Sequence, residues 1–570
     1  MQISRVYIEN YRSIKALDFS PHNYCVLIGE NDAGKSNLLR AINLVLGEMW
    51  PTDRTFTIAD FHRQNAEHDI VIQVYFDTMV ETWKNMTAKV YGFELRCKAY
   101  KRAHKGLPKG TLSVDYTCIN AKGETVKYPA ELLQEGKQVR SWYDLKVSKE
   151  LKEKIPFIYV DGLRDYYRQD PGNRWSVLRK MLDDINHKIA NDKETVKVLT
   201  ADGEIKMTRK QAFEFRMSEA YGYLKTMDFI ELEEKIRHNT FEQMGFGAGP
   251  GDVKLGFDAH DPINVFKNLQ LLVDQMGISA PAHLVGSGLQ SAIVIAIFRT
   301  YAEIKKDGAI FAVEAPESFL NPQKVRHFSE VLGSISINNQ VFITTHSPAF
   351  IKIFRPEEVC LVRRNALQGT TATICIKEQI AELVKKELEL QNLLYPERNE
   401  MFFAQGIIFV AKAPEKLYIS LAAGHCGINL DQQGISVIEC GGKANLLWYT
   451  QVADAFHIPF VVVADEDILS VEAAYEPDQL AKTGVANGEC RSINDDLREE
   501  IEDERLFWIS TDIDGELGGQ KKVDNRLENV MESFKTSKGG DTANLWVLPI
   551  RKIIALVNSS DSELDKLKIL

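Results

Sequence analysis

The sequence YCVLIGENDAGKSN, Tyr24–Asn37, is the most informative segment for the fold class of this chain. Its apolar start is followed by a segment that fits G-x-x-x-x-G-K-[ST], with Gly29, Gly34, Lys35 and Ser36 at the fixed positions. Glycines let backbone N–H groups approach phosphates, the lysine reaches the β- and γ-phosphates, and the serine hydroxyl ligates Mg²⁺. An apolar strand before the motif and an apolar helix after it provide the context that the motif requires. The pattern predicts a P-loop that binds ATP with Mg²⁺. The nucleotide-binding candidates in this stretch are Gly29, Asn31, Gly34, Lys35, Ser36 and Asn37.

The segments around the P-loop predict an α/β head divided by a helical insertion. Ile3–Phe19, Ile70–Phe76 and Thr111–Asn120 alternate or run apolar as strands do, which indicates an antiparallel subdomain. From about residue 141 to 272 the chain is charged and helix-periodic, which is typical of an insertion. Ala309–Ser318 and Gln340–Pro348 then have the pattern of buried strands in a parallel sheet.

A second series of apolar strands fills the last third of the chain. GIIFVA, ISVIEC, FVVVAD and LFWIS each end in polar or small residues, where open α/β sheets bind ligands. The expected domains are the N-terminal half of the nucleotide-binding head over 1–150, a helical insertion over 151–265, the C-terminal half of the head over 266–395 and an α/β domain over 396–570.

Composition limits the partners and the compartment. The net charge is −11, which argues against high-affinity DNA binding driven by the charge of the whole surface. A local basic face remains compatible with this charge. A run of about 18 apolar residues does not occur, and the N-terminus has no apolar signal segment, so we expect no membrane span and a cytoplasmic location. The eight cysteines form no C-x-x-C pair and suit reduced, mostly buried thiols.

Three further elements follow the P-loop in a recognisable order. GSGLQS, Gly286–Ser291, resembles the signature motif of ABC ATPases; a strand ends at Glu314; and TTHSP carries His346. This order resembles ABC-type heads of the SMC and RecF kind. The resemblance implies that the signature completes the ATP site of a second head, so that at least a homodimer is required, with the insertion as the likeliest contact. The residues it assigns are Ser287, Gly288, Gln290, Glu314 and His346.

The C-terminal series carries acidic residues at a strand end. Asp465 and Asp467 are two residues apart after FVVVAD, so both point to the same side and suit Mg²⁺. With these motifs, nearly the whole chain resembles the OLD family, in which an ABC ATPase is fused to a C-terminal Toprim domain. Its relatives include the Gabija nuclease subunit and retron-associated effectors. Membership implies ATP-gated, metal-dependent DNA cleavage in defence against phage.

The resemblance also assigns residues in the nuclease site. Glu415 matches the second glutamate of the family's E-G-x-x-E pattern, and Asp514 is favoured over Asp512 and Glu516 as a further acid. Lys538 is the chosen assisting lysine, with Lys535 as the alternative. The implied ligands of Mg²⁺ or Mn²⁺ are Ser36 and Glu314 in the head and Glu415, Asp465, Asp467 and Asp514 in the Toprim domain.

Two positions depart from the family pattern. Where the family reads E-E-P-E, this chain has EAPE, with Ala315 in place of the glutamate that orients the attacking water. Where a Toprim strand ends in E-G, this chain has Ala411 and Lys412. Slow ATP hydrolysis and weakened DNA cleavage are therefore expected. Two origins are open for these alanines, an engineered and catalytically silenced form or natural divergence.

These departures leave more than one function open. The leading hypothesis is an ATP-gated DNA endonuclease of anti-phage defence. The alternative is an ATP-binding sensor or scaffold of a defence complex with a degenerate Toprim domain, and an SMC- or RecF-like repair ATPase is weaker because it leaves the Toprim series unexplained. The resemblance allows a helicase-like partner or a retron reverse transcriptase with its RNA–DNA product.

Overall fold

A computed structural model gives the architecture of two compact units. The first unit comprises Met1–Gly162, Gly308–Glu317 and Asn321–Leu570, and the second comprises Leu163–Asp307 with Ser318–Leu320. The structure describes the chain apart from residues 81–88, 101–109, 135–136, 163–170, 174–175, 201–202, 244–261, 276, 305–307, 319, 353–354, 376–395, 466–492, 510–546 and 559–570.

The described strands are numbered along the chain. They are β1 (Ile3–Tyr11), β2 (Ile14–Phe19), β3 (Tyr24–Ile28), β4 (Ile70–Val80), β5 (Val90–Ala99), β6 (Leu112–Ile119), β7 (Lys127–Gln134), β8 (Lys137–Asp144), β9 (Phe157–Val160), β10 (Thr195–Thr200), β11 (Gly203–Thr208), β12 (Leu272–Gln275), β13 (Ile278–Pro281), β14 (Ile310–Glu314), β15 (Gln340–Thr344), β16 (Val359–Asn365), β17 (Gly369–Ile374), β18 (Gly406–Val410), β19 (Ile435–Glu439), β20 (Phe460–Asp465) and β21 (Leu506–Ile509).

The described helices follow the same numbering. They are α1 (Lys35–Leu46), α2 (Lys149–Glu153), α3 (Val177–Asn191), α4 (Arg209–Gly222), α5 (Met227–Gln243), α6 (Pro262–Phe266), α7 (Ser287–Ile304), α8 (Pro322–Ile335), α9 (Ala413–His425) and α10 (Leu446–Ala455), with further helical residues at 493–500 and 547–558.

One mixed sheet forms the head, in the strand order β6-β5-β4-β1-β2-β17-β16-β3-β15-β14-β9. Its first part is antiparallel, and β3, β15, β14 and β9 pair in parallel. The antiparallel subdomain and the buried parallel strands expected from the sequence are thus confirmed. The hairpin β16–β17 was not predicted, because VCLVRRN and GTTATI alternate too weakly with polar residues to stand out.

The second unit contains helices α3, α4, α5 and α7, as the charged periodic segments predict. It also contains two antiparallel hairpins, β10–β11 and β12–β13, which the expectation of a helical insertion did not include. The β-branched segment TVKVLT accounts for the first hairpin, since it favours a strand despite its charged surroundings. The expected insertion began at residue 151, whereas β9 pairs with β14 in the sheet of the head.

The C-terminal part of the first unit has its own sheet. The strand order is β19-β18-β20-β21, and all three pairings are parallel. Helices α9 and 547–558 pack on this sheet through a core that includes Ile408, Val410, Ile419, Val461 and Ile550, each almost completely buried. Because the strands are parallel, their carboxyl ends lie at one edge, and the acidic residues of the sequence motifs follow those ends.

The side chain of Gln340 fastens the parallel strands to the antiparallel part of the head. It is buried, its Oε1 accepts from the Ile3 backbone N–H at 2.7 Å, and its Nε2 donates to the Ile3 carbonyl at 2.9 Å. Gln340→Ala should therefore lower stability by roughly 2 kcal/mol, because it leaves buried backbone groups without partners. Thermal unfolding of the full chain tests this, with the exposed Gln432→Ala as control; equal melting of the two variants would contradict it.

Candidate nucleotide and nuclease sites

The P-loop turns from the carboxyl end of β3 into α1. All five residues of β3 are buried. The Lys35 ammonium donates to the carbonyls of Gly29 at 2.8 Å and Glu30 at 2.7 Å, so it lies across the loop that precedes its own helix. Burial lowers the pKa of Lys35, and the nearby carboxylates of Asp32, Glu317 and Glu30 oppose that shift. Asn31 is exposed and Ser36 is half-buried at the start of the helix.

The two motif glycines are required by the backbone and by their neighbours. Gly34 has φ 110°, and a Cβ there would lie 2.3 Å from Thr370 Oγ1 and 2.8 Å from Ser13 Oγ. Gly29 has φ 139°, and a Cβ there would lie 2.0 Å from the Val362 carbonyl oxygen. Among the described residues, no side chain caps the start of α1, so its first N–H groups can receive a phosphate. The loop therefore fits a nucleotide.

Several hydrogen-bonded side chains support the P-loop from behind, and the sequence predicted only some of them. Asn37, a predicted nucleotide contact, donates to Ser13 Oγ at 2.8 Å, and Thr370 Oγ1 donates to the Ala33 carbonyl at 2.8 Å. Arg12 forms an ion pair with Asp60 at 2.9 Å. Asn37 and Thr370 thus hold the loop from behind. Thr370 was missed because its only signal is spatial, 337 residues from Ala33.

Glu314 ends β14 as the sequence predicts. The residue is buried, and its Oε1 has no hydrogen-bond partner among the described residues. The neighbouring Tyr159 of β9 has a raised pKa because it is buried and because the Glu314 carboxylate lies close, while Arg40 of α1 opposes the shift. A buried, unpartnered carboxylate oxygen beside the P-loop helix is suited to a hydrated divalent cation.

Position 315 holds an alanine in the left-handed region, with φ 43°. Its N–H donates to the Thr344 carbonyl at 2.8 Å, which ties the end of β14 to the end of β15. Glutamate is expected here from the family pattern, and alanine supplies no carboxylate for an attacking water.

Glu317 connects this segment to the histidine after β15. One carboxylate oxygen accepts from the Thr345 hydroxyl and the other from the His346 backbone N–H, both at 2.8 Å. Burial and the charge of Lys35 lower the pKa of His346, and Glu317 opposes this. Lys35, Glu317 and His346 are therefore neighbours, so three strand ends converge on one site. The sequence pattern pointed to His346 but gave Glu317 no role.

The signature residues lie in the second unit. Helix α7 begins at Ser287, so Gly288 and Gln290 occupy its first turn. The Gln290 amide donates to the carbonyls of His283 at 3.0 Å and Val285 at 2.8 Å, which fastens the loop before the helix. The completion of a neighbouring head's ATP site by this segment stays a prediction.

The Toprim edge begins where β18 ends. Ala411 is buried, and Lys412 is exposed. Glu415, almost completely buried, accepts through Oε2 from the backbone N–H groups of Ala411 at 2.7 Å and Lys412 at 2.9 Å. That carboxylate oxygen therefore holds the turn into α9. Glu415 is also the residue that the family resemblance assigns as a metal ligand, so one carboxylate would have both roles.

Of the other acidic residues predicted for the nuclease site, only Asp465 belongs to the described part of the chain. Asp465 is the last residue of β20, and β20 pairs in parallel with β18 with Val463 opposite Val410. The backbone of Asp465 thus lies at the same edge as Ala411. The residues that fall outside the described part of the chain are Asp467, Asp512, Asp514, Glu516, Lys535 and Lys538. Within the described part, no group of three His, Cys, Asp or Glu side chains could hold a metal ion.

The fold and the two sites define an ATPase head joined to a Toprim-type nuclease domain. A family model described as AAA ATPase domain matches residues 1–351, and the model of an Overcoming lysogenization defect protein-like TOPRIM domain matches residues 402–467. The chain belongs to this AAA ATPase family and carries an OLD-type Toprim domain. It is thus an enzyme of the ATPase and endonuclease class, as the sequence resemblance predicted.

Three relatives match nearly the whole chain. An "OLD nuclease" of Thermus scotoductus is 25% identical over 97% of this chain and 99% of its own length. The "Old nuclease" of Escherichia phage P2 is 23% identical over 95% of this chain and 86% of its own length. The "Endonuclease GajA" of Bacillus cereus is 20% identical over 94% of this chain and 86% of its own length.

In the described part of the chain, no helix is both long and apolar enough to cross a bilayer.

Gly34→Ala should abolish ATP binding, because the added Cβ would meet Thr370 and Ser13 at a backbone conformation that disfavours alanine. The matched control is Gly203→Ala, at φ 118° with no atom of the described residues within 4 Å of the added Cβ. Fluorescent ATP titration measures both. Equal ATP affinity in the two variants would show that the close packing around the loop is not required.

Proposed function

We propose that this enzyme is a DNA nuclease of anti-phage defence whose Toprim site is controlled by ATP bound in the head. The observation that supports the proposal is the convergence of three strand ends, which carry Lys35, Glu314 and His346, while position 315 lacks a carboxylate. Such a site retains ATP and hydrolyses it slowly. Bound ATP then stabilises one conformation of the head for as long as it stays bound, because it is not hydrolysed rapidly.

Different residues of the head would bind the phosphates and the divalent cation of the nucleotide. Lys35 and the N-terminus of α1 bind the phosphates, and Ser36 with Glu314 would hold a divalent cation. When bound, that cation neutralises charge between the β- and γ-phosphates. His346, whose pKa is lowered by burial and by the charge of Lys35, would face the γ-phosphate side. Two heads assemble around ATP through the signature residues of α7, with the inserted unit as the contact between subunits.

The Toprim edge is proposed to cleave DNA with Mg²⁺ or Mn²⁺. Glu415, Asp465, Asp467 and Asp514 would hold the cation, which stabilises charge on the phosphodiester when bound. Lys538 is the proposed assisting cation, with Lys535 as the alternative. Ala411 removes one carboxylate from this set, so cleavage is expected to be weak.

An alternative function is favoured by the composition of the same edge. With Ala411 and the cationic Lys412 in place of the family's E-G, and Glu415 engaged by the backbone, the Toprim domain could serve as a binding module. The protein would then be an ATP-binding sensor of a defence complex. Cleavage of plasmid DNA with Mg²⁺ or Mn²⁺ distinguishes the two functions, because the sensor would bind DNA or a partner without cutting.

Ala315→Glu should raise ATP turnover by at least about tenfold, since a positioned base contributes roughly 10²–10⁴-fold. Steady-state phosphate release measures the change. Ala315→Gly is the matched control, because it alters the same left-handed backbone position without adding a carboxylate. No gain in Ala315→Glu, or an equal gain in both variants, would contradict the assignment of position 315.

Ala411→Glu should restore or enhance metal-dependent nicking, alone or with Lys412→Gly, because it returns a carboxylate to the end of β18. The control is Ala413→Glu, an identical substitution two residues away at an exposed position. Nicking of supercoiled plasmid with Mn²⁺ is the measurement. Unchanged nicking in a folded Ala411→Glu protein with bound metal would place the nuclease site elsewhere.

A further inference from the structure

Two consecutive buried residues connect the nucleotide site with the Toprim edge. Arg398 and Asn399 lie in the 3-10 helix Pro396–Phe403, which leads into β18. The Asn399 amide donates to the carbonyls of Pro348 at 3.1 Å and Ile351 at 2.8 Å. The Arg398 guanidinium pairs with the Glu439 carboxylate at 2.8 Å.

The carbonyls bound by Asn399 belong to a segment that starts in the nucleotide site. We call Thr345–Ile351 the switch turn. Its first two residues are held by Glu317, and the Ser347 N–H donates to Thr345 Oγ1 at 2.9 Å. A short hydrogen-bonded turn therefore joins His346 to the carbonyls of Pro348 and Ile351.

The carboxylate bound by Arg398 belongs to the Toprim edge. Glu439 ends β19, and its Oε1 accepts from the Gly441 N–H at 2.9 Å. The next N–H, of Gly442, donates to the Ala411 carbonyl at 2.9 Å, and that of Cys440 donates to the Val410 carbonyl at 2.9 Å. We call Cys440–Gly442 the edge loop, since it lies directly on the strand end where the nuclease motif begins.

Arg398 and Asn399, which form this connection, are shielded from water. Asn399 is completely buried, and Arg398 is nearly so. The two carbonyl acceptors require the NH₂ group of Asn399 on their side, which leaves its Oδ1 buried without a hydrogen-bond partner among the described residues. A buried amide that satisfies two acceptors and leaves its own acceptor unused is suited to an element with a second arrangement.

A second contact between the P-loop and the Toprim domain is weaker. Gln405 Nε2 donates to Glu30 Oε1 at 2.9 Å, and this pair is exposed. Exposed polar contacts exchange readily with water and transmit little. The buried residues Arg398 and Asn399 are therefore the better candidates for communication.

We propose that Arg398 and Asn399 are positioning residues through which the occupancy of the ATP site sets the placement of the edge loop beside Ala411. Neither residue needs to touch nucleotide or DNA. The inference rests on the proposed control of the Toprim site by ATP, and it specifies the route of that control. It also predicts that the edge loop responds to ATP even where cleavage is weak.

Hydrogen exchange on the full chain tests this, because the N–H groups of Cys440, Gly441 and Gly442 are direct reporters. Saturating Mg·ATP should change their exchange rates by about threefold or more relative to nucleotide-free protein. Asn399→Ala should abolish that change while ATP affinity stays within about threefold, since Asn399 lies outside the nucleotide site. Arg398→Lys, which keeps the charge and loses the planar fork, should reduce it.

Two controls separate the route from general loosening. Asn10 is also a buried asparagine whose amide joins two carbonyls, those of Asn65 and His68, and Asn10→Gly suits its φ of 54°. Both Asn10→Gly and Gln405→Ala should keep the full effect of ATP on hydrogen exchange in the edge loop. A response that persists in Asn399→Ala, or that is missing in the unaltered chain with ATP bound, overturns the inference. Plasmid cleavage assayed in parallel reports the nuclease function separately, so either can fail while the other holds.

Discussion

The parallel pairing of β3 with β15, and of β15 with β14, is the constraint on which the head depends. Parallel strands bring their carboxyl ends to one edge, so residues far apart in sequence become neighbours there. Lys35 follows β3, Glu314 ends β14 and His346 follows β15. The local turn of each strand end then decides its chemistry, and Glu317 joins two of them through a single carboxylate.

The sequence predicted those features that depend on local patterns. The P-loop, the buried strands and the order of the nucleotide elements were readable because glycine spacing and apolar runs have direct structural meaning. Contacts between distant segments were not readable. Thr370 behind Gly34, Glu317 under His346 and Asn399 under the switch turn are ordinary polar residues until the sheet assembles.

The two departures from the family pattern have a common physical consequence. Ala315 and Ala411 each directly follow the end of a buried strand. Both alanines leave the surrounding hydrogen bonds in place: the Ala315 N–H is bonded to Thr344, and the Ala411 N–H to Glu415. The scaffolds of both sites therefore persist, and we propose that only the chemistry they perform is reduced. An ATP site of this kind is suited to holding its ligand.

A single-turnover experiment tests that claim most directly. With protein in excess over labelled ATP and Mg²⁺, ATP should bind and remain largely intact over minutes, although enzymes commonly turn over at roughly 10 s⁻¹. Conversion of the bound ATP to ADP within seconds, or a lack of binding, would show that the head does not act by retaining ATP.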